Sequence, residues 1–172
     1  MKPEQFLRIT RLLGEESVQL LHQKRVVLVG LGAVGGMALE ALVRSGVGNL
    51  RIVDFDTIGI TNLNRQILAT HDTLGKLKTE VAQARVKAIN PYCNIEALPL
   101  FVQEDTLDDI LSGPIDLVID AIDSLNPKCA LLQRAYERTI PIISSMGAAL
   151  RRDPALIRRA DLMDSWGCPL AR

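Results

Sequence analysis

Six residues, Gly30-Leu31-Gly32-Ala33-Val34-Gly35, constrain this chain more than any other stretch. They follow Arg25-Val26-Val27-Leu28-Val29, an apolar run of the kind found in strands buried on both faces. They lead into Val34–Ser45, where apolar residues recur at helical spacing until Gly46 and Gly48 end the pattern. Glycines between a strand and a helix allow a tight reversal and a close backbone approach to phosphate, and the first N–H groups of the helix add partial positive charge. The spacing alone is a weak signal. In this context it points to a nucleotide site, against the alternative of a glycine turn that serves the fold only.

The rest of the chain continues the alternation. Leu50-Arg51-Ile52-Val53-Asp54 has the pattern of a second strand. Lys76–Asn90 is expected to be a helix with Leu77, Val81, Ala84 and Ala88 turned inward, and it must end by Asn90 because Pro91 disfavours a helical residue before it. Asn94–Leu98 is expected as a strand, Thr106–Leu111 as a short helix and Ile115–Asp120 as a strongly apolar strand. Asn126-Pro127 opens a helix with Asn126 as cap, and Ile140–Ile143 is a further strand. Residues 1–24 form an N-terminal helical extension, with Phe6, Ile9 and Leu13 on one face and Val18, Leu21 and His22 in a second short helix. Strands alternating with helices predict a Rossmann-like, doubly wound α/β fold, its mainly parallel sheet covered on both faces. With 172 residues and no repeat or Pro/Ser-rich linker, one domain over 1–172 is expected.

Composition excludes several classes of function. Lys and Arg together number 20, as do Asp and Glu, so a generally basic nucleic-acid coat is ruled out. Six aromatic residues (Phe6, Phe55, Tyr92, Phe101, Tyr136, Trp166) are too few for a platform that stacks successive bases. No secretory pattern opens the chain, and the apolar stretch Val26–Leu39 is too short and too glycine-rich to span a bilayer. Cys93, Cys129 and Cys168 are unpatterned, as expected of reduced thiols, so a cytoplasmic protein without a membrane partner is anticipated.

Several polar residues then cluster in sequence around the glycine turn. Asp54 closes the second strand roughly 20 residues on, where an acid can bond a ribose hydroxyl. To this point an NAD-dependent dehydrogenase and an ATP-dependent enzyme are equally served. Asp56, Asn62, Arg65, Gln66 and Lys78 favour the second. Fixed cations suit a triphosphate, whose departing pyrophosphate accumulates charge, although Arg65 and Lys78 also fit two solvated surface charges. Asp123 follows the strand ending at Asp120, where it would either hold magnesium or, with Ser124, cap the next helix.

This set of motifs resembles the ubiquitin-activating-enzyme-like (ThiF/MoeB-type) adenylyltransferases. The residues concerned are Gly30, Gly32 and Gly35, the pair Asp54 and Asp56, Asn62-Leu63-Asn64-Arg65-Gln66, Lys78 thirteen positions after Arg65, and Asp123. The resemblance implies ATP and Mg2+ as cofactors. By carry-over Asp54 holds the ribose, Arg65 and Lys78 the phosphates and Asp123 the metal, with Arg65, Lys78 and Asp123 catalytic. It also implies a homodimer in which an N-terminal arginine, Arg8 in preference to Arg11, reaches the partner's site. The residues themselves show only two exposed cations on a helix.

Within that family, carrier-protein activators hold zinc between two C-x-x-C pairs. Here Ser165-Trp166-Gly167-Cys168-Pro169-Leu170 offers none. Asp120-Ala121-Ile122-Asp123-Ser124, Pro127-Lys128, Ser145-Met146-Gly147-Ala148-Ala149 and Cys168-Pro169-Leu170-Ala171-Arg172 look instead like the tRNA threonylcarbamoyladenosine dehydratase branch. That branch implies an ATP-dependent cyclising dehydration, through an acyl-adenylate, of threonylcarbamoyladenosine in tRNA, and a link to a cysteine desulfurase and sulfur-acceptor system. No protein nucleophile is needed, so Cys168 is expected to be structural. The family pattern runs on beyond Arg172, so tRNA contacts and the dimer are expected to draw on that further part. From Arg134 to Arg172, seven arginines face four acids, either a phosphate-gripping patch or an ordinary solvated face. The alternatives are an adenylyltransferase acting on the C-terminal glycine of a ubiquitin-like sulfur carrier, and a non-enzymatic ATP-binding regulator.

Overall fold

The computed structural model describes residues 3–149 and 151–171. Helices α1 (Leu7–Leu13) and α2 (Glu15–Gln23) precede β1 (Arg25–Val29), α3 (Ala33–Ser45) and β2 (Asn49–Val53). A loop with two 3-10 turns (Ile60–Asn62 and His71–Thr73) leads to α4 (Lys78–Ile89) and β3 (Asn94–Leu98). Then come α5 (Glu104–Ile110), β4 (Leu117–Asp120), α6 (Leu125–Glu137) and β5 (Ile142–Ser144). The five strands lie in the order β3-β2-β1-β4-β5, all neighbours parallel. This is the expected doubly wound sheet, and the chain changes its direction of winding between β1 and β4.

The alternation of side chains along β1 sorts the core into two layers. Val26 and Leu28 join Leu39 and Val43 of α3 and Ala82 and Val86 of α4 on one face. Val27 and Val29 join Leu107 and Ile110 of α5 and Leu131 of α6 on the other. A strand used by both layers has no polar face, which is why its sequence is an unbroken apolar run. Phe6 closes the N-terminal extension over the sheet's neighbour Gly46, whose φ of +93° ends α3.

Three local expectations need correction. In α4 the buried line is Lys78, Thr79, Ala82 and Val86, while Ala84 and Ala88 are exposed. A methyl group carries too little apolar area to orient a helix, and Val86 decides instead. Helix α6 begins at Leu125, not after Asn126, and Ser124 occupies the cap position without a side-chain bond. Pro127 is thereby inside the first turn, where its missing N–H has no intrahelical partner to lose. The last strand starts at Ile142, after Pro141 has supplied its carbonyl to the N–H of Val118.

Candidate functional site

Parallel strands deliver their carboxyl ends to one edge, and the change of winding direction opens a crevice there. Gly30 leaves β1 with φ +92°, and a Cβ at that residue would lie 2.7 Å from the Ala121 carbonyl oxygen after β4. A Cβ on Gly35 would lie 1.8 Å from the Gly30 carbonyl oxygen, so the turn closes only on glycine. Gly32 caps α3 and has open space except for the Gln66 amide, 3.9 Å from its virtual Cβ. The N-terminus of the 13-residue helix α3 therefore faces an uncovered cradle.

Asp54 locks this cradle to β2. Its Oδ2 accepts the Leu31 N–H at 2.7 Å and its Oδ1 accepts the Asp56 N–H at 2.9 Å. Burial pushes its carboxyl above the usual carboxylate range, against the pull of those N–H groups and of Lys78. Each oxygen keeps a lone pair, enough to receive a hydroxyl. Lys78, only 5% exposed, donates to Asp56 Oδ2 at 2.7 Å and stands 3.7 Å from Asp54 Oδ2. It is thus not one of two solvated surface charges but a buried cation beside the turn.

The segment after Asp56 brings the other polar residues in. Asn62 Oδ1 accepts the Gly59 N–H at 2.9 Å and so folds the 3-10 turn from which Arg65 and Gln66 project. Gln66 is buried, and its Oε1 has no partner among the described residues. A buried amide oxygen without a partner costs of order 1–3 kcal/mol, which a ligand donor would recover. Arg65 is exposed and uses only Nη1, on the Thr61 carbonyl and Asn64 Oδ1. The remainder of its guanidinium makes no bond among the described residues.

Across the crevice Asp123 is exposed and makes no hydrogen bond among the described residues, so it does not cap α6. No cluster of three or more His, Cys, Asp or Glu side chains gathers there or elsewhere among the described residues. A lone exposed carboxylate fits magnesium, which keeps most of its waters and takes one or two carboxylates beside phosphate oxygens. The orphaned Gln66 oxygen and the Cβ-free cradle fit a nucleotide in the same way.

Sequence reasoning passed over the roles of Asp120 and Lys128. Both are fully buried, and Lys128 Nζ contacts Asp120 Oδ2 directly. The signal was there: an acid at the end of an apolar strand, followed by a lysine on the inner face of the next helix. Arg8 and Arg11 are exposed on α1, and neither forms an ion pair with another described residue. The arginine count over the last 39 residues overstated the free charge, because Arg134 bonds Glu104 and Asp108, and Arg138 bonds Asp108. Arg151 and Arg158 donate to backbone carbonyls, and Arg172 lies outside the described residues. Cys168 Sγ accepts the Gly147 N–H at 3.2 Å. Burial works against its thiolate, yet the N–H groups of Gly147, Leu170 and Ala171 together with Arg151 bring the thiol below its usual range. It ties the C-terminal segment to the loop after β5.

A glycine cradle, a buried carboxylate and a buried lysine meet at the switch point of a doubly wound α/β sheet, where such folds place their ligands. The chain belongs to the ThiF family, which matches residues 6–159. It is 40% identical over 168 residues to the tRNA threonylcarbamoyladenosine dehydratase of Bacillus subtilis (strain 168), covering 98% of this chain and 66% of the relative. It is 39% identical to the Escherichia coli (strain K12) protein of the same name, over 98% of this chain and 63% of that one. The chain thus spans slightly less than two thirds of the length of these relatives. The crystal structure of the E. coli tRNA N6-threonylcarbamoyladenosine dehydratase in complex with ATP superposes with a TM-score of 0.95 at 38% identity, covering 98% of this chain and 70% of that one.

Proposed function

We propose that this chain binds ATP at the Gly30–Gly35 cradle and uses it to dehydrate threonylcarbamoyladenosine in tRNA to a cyclic form. The observation that carries the reading is the buried Lys78 held between Asp54 and Asp56 beside that cradle. A cation kept dry at a turn built for phosphate is suited to charge that develops as pyrophosphate departs. Similarity to two dehydratases over 98% of the chain supports the choice of substrate.

In this function Asp54 receives the ribose hydroxyls, and the Gly30, Gly32 and Gly35 backbone accepts the phosphates. Lys78 leaves Asp56 to meet them, with Arg65 joining from the rim, Asn62 shaping its turn and Gln66 completing its bonding. Asp123 holds magnesium, which supplies charge neutralisation at the phosphates. The threonyl carboxylate of the modified nucleoside attacks the α-phosphate, and pyrophosphate leaves. A nucleophile of the same modification then attacks the activated carbonyl, AMP departs and the ring closes. Both reacting groups belong to one substrate, so proximity replaces a protein nucleophile. The proposal extends to a homodimer in which Arg8 serves the partner's site, and to a cytoplasmic setting. Among the described residues no helix is long and apolar enough to cross a membrane.

Mass spectrometry of nucleosides from modified tRNA incubated with the protein, ATP and magnesium tests the reading. Loss of one water from threonylcarbamoyladenosine, only when ATP is present, is the expected result. Pyrophosphate release that requires a ubiquitin-like carrier protein and ignores tRNA would replace the substrate assignment.

A further inference from the structure

Asp120 and Lys128 are the most deeply buried charges described, each with 0% exposure. Taking two ions out of water costs several kcal/mol each, and an apolar pair of similar size would fasten α6 to the sheet at least as well. Their bonds show what the ions accomplish instead. Lys128 spends all three ammonium protons, on Asp120 Oδ2, on Ser144 Oγ at 3.2 Å and on the Ser145 carbonyl at 3.0 Å. Ser144 Oγ donates to Asp120 Oδ2, and Asp120 Oδ1 accepts the Ile122 N–H at 2.9 Å. The Asp120 carbonyl in turn accepts the Ser145 N–H at 2.8 Å.

These bonds lie at the carboxyl edge of the sheet, where they join the last residues of β4 and β5, Asp120 and Ser144, to Ile122 and Ser145 at the start of the loops that follow. Ala121, between the pinned residues, donates its N–H to the Val29 carbonyl at 2.8 Å and forms the wall against Gly30. The next residue but one is Asp123, whose side chain has no tether among the described residues. Its direction is set by the backbone on either side, the 120–122 peptide before it and Ser124 at the start of α6 after it. A carboxylate that must meet a metal at fixed distance therefore relies on the network beneath it.

We propose that the buried Asp120–Lys128–Ser144 network is a positioning device for the magnesium site, holding the 120–122 peptide so that Asp123 faces the metal beside the glycine cradle. Lys128 touches neither nucleotide nor metal, and it acts through Asp123. The inference rests on the reading of Asp123 as the magnesium-holding residue.

The test replaces both charges at once, Asp120→Leu with Lys128→Met, in the full chain. The network is lost without leaving either ion alone in the core, so thermal stability without ligand is expected to stay level or rise. Melting temperature is then followed across magnesium concentrations at fixed ATP, a readout that needs no turnover. The magnesium concentration for half-maximal stabilisation is expected to rise about 10- to 100-fold in the double variant. Ser144→Ala keeps the ion pair, removes one bond from each partner and is expected to move the same midpoint by a few-fold. It carries the test alone if the double variant does not fold. Adding Asp123→Asn to the double variant should give almost no further shift. An unchanged midpoint in a folded variant, with the wild type responding to magnesium, overturns the inference. A wild type that binds ATP with no response to magnesium, or an Asp123→Asn chain that titrates like it, overturns the metal reading and this inference with it.

Discussion

Lys78 and Arg65 differ at the residue scale in ways that separate their expected mutants. Arg65 is exposed and bonded only locally, so Arg65→Ala should change stability by less than about 0.5 kcal/mol. Its ATP–pyrophosphate exchange should nevertheless fall about 10²–10³-fold, as the loss of one preorganised donor to developing charge does. Lys78→Ala should lower exchange at least as much, with a measurable cost in melting temperature because Asp54 remains buried beside the gap. Unaltered exchange in both variants would refute the phosphate assignment. Asp123→Asn should weaken the magnesium dependence of exchange, and a superposable titration would refute the metal role. These residues were legible in the sequence because their spacing is local to the turns that carry them. That Lys78 is parked on Asp56 was not legible, since it depends on the two loops meeting in space.

At the scale of elements, the β1–α3 turn tolerates no side chain where its backbone closes on itself. Gly30→Ala combines a left-handed φ with a contact on the Ala121 carbonyl and should cost about 1–3 kcal/mol, read from the urea midpoint. Gly35→Ala should cost more, at about 4 kcal/mol or above, because its Cβ would overlap the Gly30 carbonyl. A Gly35→Ala protein as stable as the wild type would show that the turn is not closed as described. The start of the sheet offers a pH test. The Arg25 backbone N–H, helped by Lys24, holds the Asp116 carboxyl below its ordinary value of 3.8. That bonding stabilises the fold above the ordinary value and is lost as pH falls through the lowered one. Asp116→Asn should therefore be less stable than wild type near neutrality, with the gap narrowing below about pH 4 in urea titrations. Cys93 is inert by contrast, its thiol pushed up to about 11 by burial.

For the whole molecule, the β3-β2-β1-β4-β5 order is what gathers residues 30, 54, 78 and 123 at one edge. The proposed dimer adds a second level. If Arg8 completes the partner's site, Arg8→Ala and Lys78→Ala chains, each inactive alone, should regain about a quarter of wild-type activity when mixed and re-equilibrated. No recovery, with heterodimers demonstrated by mass, would confine Arg8 to its own subunit. The surface charge also changes meaning at this scale. Arg134 and Arg138 belong to an ion-pair network with α5 rather than to a free basic patch, and Arg152 is exposed outside it.

The sequence by itself determined the parallel α/β plan and the glycine turn, and it singled out Asp54, Arg65, Lys78 and Asp123 as candidates through the family pattern they match. Each is a short-range pattern: strand alternation, helix spacing, or residues a fixed distance from a turn. It misjudged Ala84 and Ala88 of α4, because helical periodicity without bulky side chains does not fix which face turns inward. Only the tertiary structure decided that Lys78 is buried between two carboxylates, that the Gln66 oxygen has no partner among the described residues, and that Lys128 reaches under the loop of Asp123. Those are pairings between separate elements in a medium from which water has been excluded. Their strength comes from desolvation and from the convergence of several chain segments, and neither is written in the local order of residues.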